Sequence, residues 1–377
     1  MLGLLYSVMK ILHFAETVKG GVESVLLELI SEFSKMKGID EIAVVLPDDA
    51  VELVSKFSAG KVKFFLFNRD GRNLKTLFAA SVTYNKAMQE FQPDIVHLHS
   101  TFAGFIGRLL PKNKSKIVYC AHSWSFDPCN EITSPIKRFI FCKIERILSY
   151  RTERIINLSE HDANCCSLAK IELSRTKVIP NGVSDLAYIT RETSDVIESN
   201  KIKILFAGRF DQQKGFDRLL QWIDEGIPEH VSLTLVGDWV VDQADAKERE
   251  IVEDAPVKWL GWLKREEVLK ELAASDVLVL PSRWEGMPMI VIESLALGTP
   301  VVGADIPVLR EMLTDGENGY IIDFNAPHGL QAKFHTISKS QLVGMRLAAR
   351  KEFVARYQAS AMASATYNVY KEIYYAS

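Results

Sequence analysis

The sequence predicts an α/β protein of two Rossmann-like domains, each with a parallel sheet, facing each other across a cleft. Three observations carry that prediction. Short, continuous apolar runs alternate with helical patterns along the chain, the rhythm that βαβ units produce. At 377 residues the chain is longer than one ordinary domain. The alternation lapses once, in a polar stretch at 190–201, and then restarts.

Taken in order, the first half reads as an apolar run at 11–14, a helix around 23–36, runs at 42–46 and 62–67, a helix around 74–91 and a run at 95–99. Apolar runs at 104–110 and 116–121, a helix around 136–150 and a run at 154–158 follow. The second half repeats the pattern with runs at 202–208, 233–236, 257–260, 277–280, 301–304 and 320–324, and closes with helices rich in Ala, Tyr and Lys from about 330 to 376. The expected domains are 1–185 and 186–352. Met9-Lys10-Ile11-Leu12-His13-Phe14 reads as a natural chain start, so residues 1–8 are expected to be a loose extension.

The composition, 47% hydrophobic and 25% charged, is that of a soluble globular protein. Residues 1–185 carry 24 Lys/Arg against 20 Asp/Glu, net +4, which leaves 21 against 28, net −7, so the amino-terminal half is the basic one. Five cysteines form no Cys-x-x-Cys pair, and their odd number argues against a disulfide framework, so reduced cytoplasmic thiols are expected. The start lacks a charged n-region and a small-residue cleavage site, which argues against a signal peptide, and no apolar run approaches the roughly 18 residues that span a bilayer. No nucleic-acid partner is expected.

The chemistry concentrates at 281–293, Pro-Ser-Arg-Trp-Glu-Gly-Met-Pro-Met-Ile-Val-Ile-Glu. The run before it reads as a strand buried on both faces. Pro288 suits a first helical position, 289–297 is a short apolar helix, and Gly298 with Pro300 stops it. Glu285 then lies in the loop at the carboxyl end of a strand, and Glu293 about two turns into the next helix. Open α/β sheets bind ligands at that end. Arg209 and Lys214, on the loop after the 202–208 run, are placed to clamp an anionic leaving group such as a diphosphate. Gly20 and Gly21 precede a helix and let backbone approach a phosphate or sugar closely, although a Gly-Gly pair taken alone is more often a plain turn. There is no Gly-x-Gly-x-x-Gly fingerprint, which counts against a nicotinamide or flavin enzyme.

In chain order, Gly20-Gly21-Val22-Glu23, His122, Ile179-Pro180-Asn181-Gly182-Val183, Gly208-Arg209-Phe210 with Lys214-Gly215, and the Glu285 to Glu293 segment resemble the retaining, nucleotide-sugar-dependent glycosyltransferases of family 4. The resemblance covers nearly the whole chain. It implies the two-domain GT-B fold, with a terminal helix at 353–377 crossing back to the first domain, which binds the acceptor while the second binds the donor. It implies that Arg209 and Lys214 contact the donor diphosphate, Glu293 the ribose hydroxyls, and Glu285 the transferred sugar. His122 lies near that sugar, or is a structural histidine at a strand end. The amides of Gly286, Met287 and Met289 reach sugar or phosphate, and base recognition falls to backbone near Trp259, Leu260 and Gly261, whose tryptophan is equally readable as core. His97 and His99 invite a metal reading, but no third ligand stands at a suitable spacing, so strand-end packing or lining of the acceptor cleft is expected.

No Asp-x-Asp occurs in the chain, so the expected reaction needs no metal and no cofactor. The expected activity is transfer of a hexose or N-acetylhexosamine from a nucleotide sugar, by family frequency a UDP-sugar. The acceptor would be a glycan or an undecaprenyl-diphosphate-linked glycan, the new bond α-linked, and the pathway lipopolysaccharide, O-antigen or capsule assembly. An epimerase or glycan phosphorylase of related fold is the alternative enzyme, without a cofactor-lysine motif to support it; a silent nucleotide-binding scaffold is the alternative of another class. The segment 134–151 mixes cations with Phe, Ile and Leu at helical spacing, and Arg108, Lys112, Lys114 and Lys116 add a basic cluster. It reads either as a half-buried helix with a solvated face or as a peripheral contact with an anionic membrane.

Overall fold

A computed structural model describes residues 8–17, 20–57, 60–71, 73–189, 201–239, 246–326 and 328–376. The polar stretch at 190–201 and the extension at 1–8 lie, but for one residue of each, outside them. The chain forms two compact units, Met1–Ser184 with Ala359–Ser377, and Asp185–Gln358.

The first unit holds strands β1 (Met9–Ala15), β2 (Ile39–Pro47), β3 (Val62–Phe67), β4 (Ile95–His99), β5 (Lys116–Cys120), β6 (Arg154–Asn157) and β7 (Thr176–Val178). They form one sheet in the order β3-β2-β1-β4-β5-β6-β7, every neighbouring pair parallel. Helices α1 (Gly21–Phe33), α2 (Val51–Phe57), α3 (Leu74–Phe91), α4 (Thr101–Leu109), α5 (Pro135–Ser149) and α6 (Glu160–Leu168) connect them. Capping follows the sequence: the side chains of Asn73, Ser134 and Ser159 accept from the N3 amides of α3, α5 and α6, with Pro135 opening α5.

The apolar run at 104–110 belongs to helix α4. A run this short does not distinguish strand from buried helix, and its two glycines decide how it packs. A Cβ on Gly104 would stand 2.3 Å from the Tyr119 ring, and one on Gly107 2.4 Å from Leu98, so the helix lies directly on β4 and β5. Arg108, fully buried, pairs with Glu145 of α5 at 2.8 Å and stacks 3.8 Å above the Tyr119 ring.

The second unit repeats the plan with β8 (Ile202–Ala207), β9 (Val231–Val236), β10 (Lys258–Trp259), β11 (Val277–Leu280), β12 (Val301–Ala304) and β13 (Gly319–Ile322), ordered β10-β9-β8-β11-β12-β13 and again all parallel. Its helices are α7 (Phe216–Glu225), α8 (Ala246–Asp254), α9 (Arg265–Ala274), α10 (Met289–Ala296), α11 (Pro307–Met312), α12 (Gly329–Thr336) and α13 (Lys339–Arg356). In both sheets strand order reverses beside the first strand, between β1 and β4 and between β8 and β11. Those are the topological switch points at which such sheets bind ligands.

The last helix, α14 (Ala359–Tyr375), packs on α1 and β5 of the first unit. The crossover falls at Gln358 and Ala359, later than the expected 353, because α13 runs on to Arg356 with Phe353 fully buried in the second unit. The Asn181-Gly182-Val183 turn anchors the return: Val183 O accepts from Ala359 N at 2.9 Å, and Gly182 N lies 3.2 Å from Met362 Sδ.

Candidate active site

In the second unit the loops leaving β8 and β11 meet at the switch point. Phe210, buried on the first loop, stacks on Phe216 at 3.8 Å and meets Trp239 edge-on. The turn between is closed by Asp211, whose side chain accepts from Lys214 N at 2.8 Å. Gly215 then opens α7 at φ +68, where a Cβ would stand 2.0 Å from the carbonyl oxygen of Pro281. Only glycine allows both the left-handed backbone and that approach. The loops are stitched further by Arg283 N donating to Gln213 O at 2.9 Å.

Into this junction project the residues read from the sequence. The Lys214 ammonium sits 2.6 Å from Glu285 Oε1, and Ser282 Oγ donates to the same oxygen at 2.8 Å. Arg209, half exposed, pairs with Asp211 at 2.8 Å and donates to Gln213 Oε1. Neither cation therefore stands alone in wait of a diphosphate; each is oriented by a carboxylate. Glu285 and Glu293 are not solvated, being 7% and 5% exposed, and a buried carboxylate requires a charged partner. Glu293 finds one in Arg265, the first residue of α9, at 2.8 Å. Ser282 and Arg265 escaped the sequence reading. Nothing in the local pattern marks Arg265, which meets Glu293 only because α9 and α10 pack together.

Pro288 caps α10 and helix begins at Met289, one residue later than expected. Gly286, Met287 and Met289 are buried around this turn. Trp259 belongs to the aromatic core: its indole N–H donates to Gly237 O at 2.9 Å and its ring meets Trp239 edge-on. Gly261, at φ +64, accepts from Gly237 N at 2.8 Å, which ties the 259–261 backbone to the end of β9.

In the first unit, Gly20 caps α1 at φ +83, a conformation that favours glycine, with open space around the position of a Cβ. His122 follows β5 at φ +58, which folds its ring back onto His99 at a centroid distance of 5.2 Å. It ends a chain of imidazoles. His13 Nδ1 lies 3.0 Å from His99 Nε2, and His99 Nδ1 lies 2.9 Å from His122 Nε2. His97 Nδ1 meets the Tyr370 hydroxyl of α14 at 2.6 Å. The third histidine that chain spacing did not show is thus His13, the register neighbour of His97 across β1 and β4. Burial holds all four neutral, pushing His13 down to about 3 and His122 to about 4, and His97 and His99 well below the ordinary value. A neutral imidazole has one donor and one acceptor nitrogen, so the tautomer of His13 sets that of His99, and through it that of His122.

Helix α5 is half-buried on one side through Phe141, Glu145 and Leu148, but Ile136, Phe139, Ile140 and Ile147 stay exposed at helical spacing on the other. Neighbouring α3 and α4 expose Leu74, Phe78 and Val82, and Phe105 and Leu109. The single acid of α5, Glu145, is spent on Arg108 inside, so its outward charges, Lys137 and Lys143 among them, are positive. Among the described residues no helix is long and apolar enough to cross a membrane.

Two Rossmann-like units, each built on a parallel sheet, the second with a part-buried carboxylate–lysine pair between its first and fourth strands, have the GT-B fold. Residues 19–185 match the description Glycosyltransferase Family 4, and residues 191–354 match Glycosyl transferases group 1. An "Uncharacterized 41.2 kDa protein in cps region" of Klebsiella pneumoniae is 34% identical over 327 residues, 84% of this chain and 86% of that protein. The UDP-Gal:alpha-D-GlcNAc-diphosphoundecaprenol alpha-1,3-galactosyltransferase of Escherichia coli is 26% identical over 262 residues, 65% of this chain and 66% of that one. Anabaena HepE, solved with UDP and glucose, shares the fold at a TM-score of 0.80 and 19% identity, over 97% of this chain and 100% of that one. The lipopolysaccharide outer core galactosyltransferase WaaB shares it at a TM-score of 0.66 and 18% identity, over 97% and 100%. The chain belongs to glycosyltransferase family 4.

Proposed function

We propose that this glycosyltransferase moves a hexose or N-acetylhexosamine from a UDP-sugar to a glycan carried on a polyprenyl diphosphate, with retention, forming an α-linkage in the assembly of a surface polysaccharide. The observation that carries the reading is the Lys214–Glu285–Ser282 contact at the β8/β11 switch point, between the amino-terminal ends of α7 and α10. The names of the E. coli relative and of the HepE complex support the choice of UDP-sugar and lipid-linked acceptor.

In this reading the C1–O bond to the diphosphate breaks while C1 bonds to the acceptor oxygen on the same face, and the acceptor proton passes to the departing phosphate oxygen. Charge growing on the phosphate is met by Lys214, Arg209 and the helix amino termini. Glu285, held by Ser282 and Lys214, faces the transferred sugar, and Glu293, oriented by Arg265, accepts from the ribose diol. His122 presents its Nδ1 to a sugar hydroxyl, in the tautomer that His99 imposes. The absence of an Asp-x-Asp motif supports charge neutralisation by side chains rather than by a divalent cation at the diphosphate. The apolar and basic face of α3, α4 and α5 rests on the anionic leaflet that holds a lipid-linked acceptor, on the cytoplasmic side.

The test is nucleotide release by purified protein from a panel of UDP-, GDP- and ADP-sugars, with and without EDTA. Release from a UDP-hexose or UDP-N-acetylhexosamine that survives EDTA is expected. Loss of release that added magnesium or manganese restores at once would refute the metal-free step. Release from a GDP- or ADP-sugar alone would overturn the donor. Glu293→Ala should weaken UDP binding, whereas Glu285→Ala should lower kcat more than binding; small and equal effects from the two would sink the assigned roles.

A further inference from the structure

A second cluster of ligating side chains lies in the first unit and has no part in the proposed transfer. Asp127 and Cys129 stand on the loop between β5 and α5, and His161 and Cys165 lie one turn apart on α6, on one face of the helix. The loop is fixed in place: Trp124 and Phe126 are 2% exposed, Asp127 N donates to Trp124 O at 3.0 Å, and Cys129 N to Asp127 Oδ1 at 2.8 Å.

Asp127 and Cys165 converge on one atom of His161, and Cys129 stands on the adjoining loop. His161 Nε2 lies 3.0 Å from each oxygen of Asp127 and 3.8 Å from Cys165 Sγ, and Cys129, two residues beyond Asp127, is tied back to it through its amide. One ligand atom each from Asp127, His161 and Cys165 lies within 4.8 Å of the others. An imidazole nitrogen offers one proton or one lone pair, and an N–H can share its proton between the two oxygens of a carboxylate. That bond already uses the proton, and the Cys165 sulfur lies against the same nitrogen.

We propose that Asp127, Cys129, His161 and Cys165 bind a structural zinc ion. Zinc takes nitrogen and oxygen at about 2.0–2.1 Å and thiolate at about 2.3 Å, so tetrahedral ligation places N and O about 3.3 Å apart and N and S about 3.6 Å apart. The separations in this structure, 3.0 and 3.8 Å, differ from those by a few tenths of an ångström. Two thiolates, an imidazole and a carboxylate make a borderline-soft set suited to zinc rather than to magnesium or calcium, and four protein ligands make a closed site, structural rather than catalytic. Cys129 and His161 are half-buried and give access, while Asp127 and Cys165 close the inner side. The ion would staple the β5–α5 loop, which begins beside His122, to α6.

The competing state is a bare ion pair, in which Asp127 holds His161 protonated and pushes its pKa up to about 12. Zinc must displace that proton and those of both thiols, so binding releases protons and weakens as pH falls. The experiment uses the full chain, freed of any histidine tag and purified without chelator, with zinc measured by plasma mass spectrometry and cobalt(II) added to the metal-free protein. About one zinc per chain is expected, with a thiolate-to-cobalt charge-transfer band, both lost in Cys165→Ser and His161→Asn. Cys129→Ser, a change on a half-buried loop residue whose folding circular dichroism checks, should weaken zinc at least about tenfold. Absence of zinc and of the cobalt band from the unaltered protein would overturn the proposal. So would zinc that persists in the Cys129→Ser/Cys165→Ser double variant but is lost in His13→Phe, which would place the ion on the histidine chain.

Discussion

Replacing Lys214 by alanine should cost stability and donor affinity together, and the two losses are separable. The Lys214 ammonium lies 2.6 Å from Glu285 with side-chain exposures of 20% and 7%. Removing the cation leaves the Glu285 carboxylate buried with the Ser282 hydroxyl still donating to it. Breaking a buried pair from one side costs about 3–5 kcal/mol, and because Lys214 reaches solvent the lower figure applies. For a unit the size of Asp185–Gln358 that lowers Tm by about 6–12 °C. Separately, loss of a charge-assisted hydrogen bond to the diphosphate, about 1.5–3 kcal/mol, weakens UDP-sugar binding about 10- to 150-fold. Calorimetry reads both, scanning for Tm and titration for affinity. The double variant Lys214→Met/Glu285→Gln removes both charges, so it should regain most of the lost Tm while donor binding stays weak. A Lys214→Ala protein that melts like the unaltered one, or a double variant that melts lower than both singles, would refute the buried-pair argument. Unchanged affinity for the donor would refute the clamp.

Gly215→Ala should lower Tm by more than Lys214→Ala, since it adds the contact with the Pro281 carbonyl to about 1–3 kcal/mol of left-handed strain; a variant that folds with native stability would show that the two loops are not in this contact. The buried His13, His97 and His99 and the half-buried His122 have folded pKa values below the unfolded 6.5, so the unfolded chain takes up protons first: their contribution is complete above pH 6.5 and is lost as pH falls toward about 4 and 3, the values of His122 and His13. Each such histidine removes about 1.4 kcal/mol per pH unit below 6.5, and His13→Phe should flatten the fall of Tm between pH 6.5 and 5; an equal slope in both proteins would contradict the buried neutral chain. Phe139→Glu and Lys143→Glu should each reduce co-sedimentation with phosphatidylglycerol vesicles while leaving release of UDP to water unchanged; binding insensitive to both would remove α5 from the membrane contact.

Most strands were legible because both faces of a parallel sheet are covered, so β11 reads as an unbroken apolar run and β1, β4 and β8 as apolar runs interrupted only by Lys or His. The Glu285 to Glu293 segment was legible as loop and helix from its proline and glycine punctuation, to within the one residue by which Pro288 was misplaced. The run at 104–110 was not, since an apolar stretch of that length fits strand and helix equally until its glycines meet Leu98 and Tyr119. Trp259 was undecided for the same kind of reason: an aromatic residue near a turn is core or platform according to what surrounds it, and here Gly237 takes its N–H and Trp239 its edge.

The sequence alone determined the class of fold and the order of the site motifs, because hydrophobic periodicity and turn chemistry act over a few residues and are written locally. The tertiary structure decided the partners. Arg265 reaches Glu293, Lys214 reaches Glu285, His13 joins His99 and His122, and Asp127 meets His161 across distances in the chain that no local pattern spans. Each meeting is set by which strands lie side by side and which helices cover them, and a buried charge or imidazole becomes interpretable only when the group that compensates it is known.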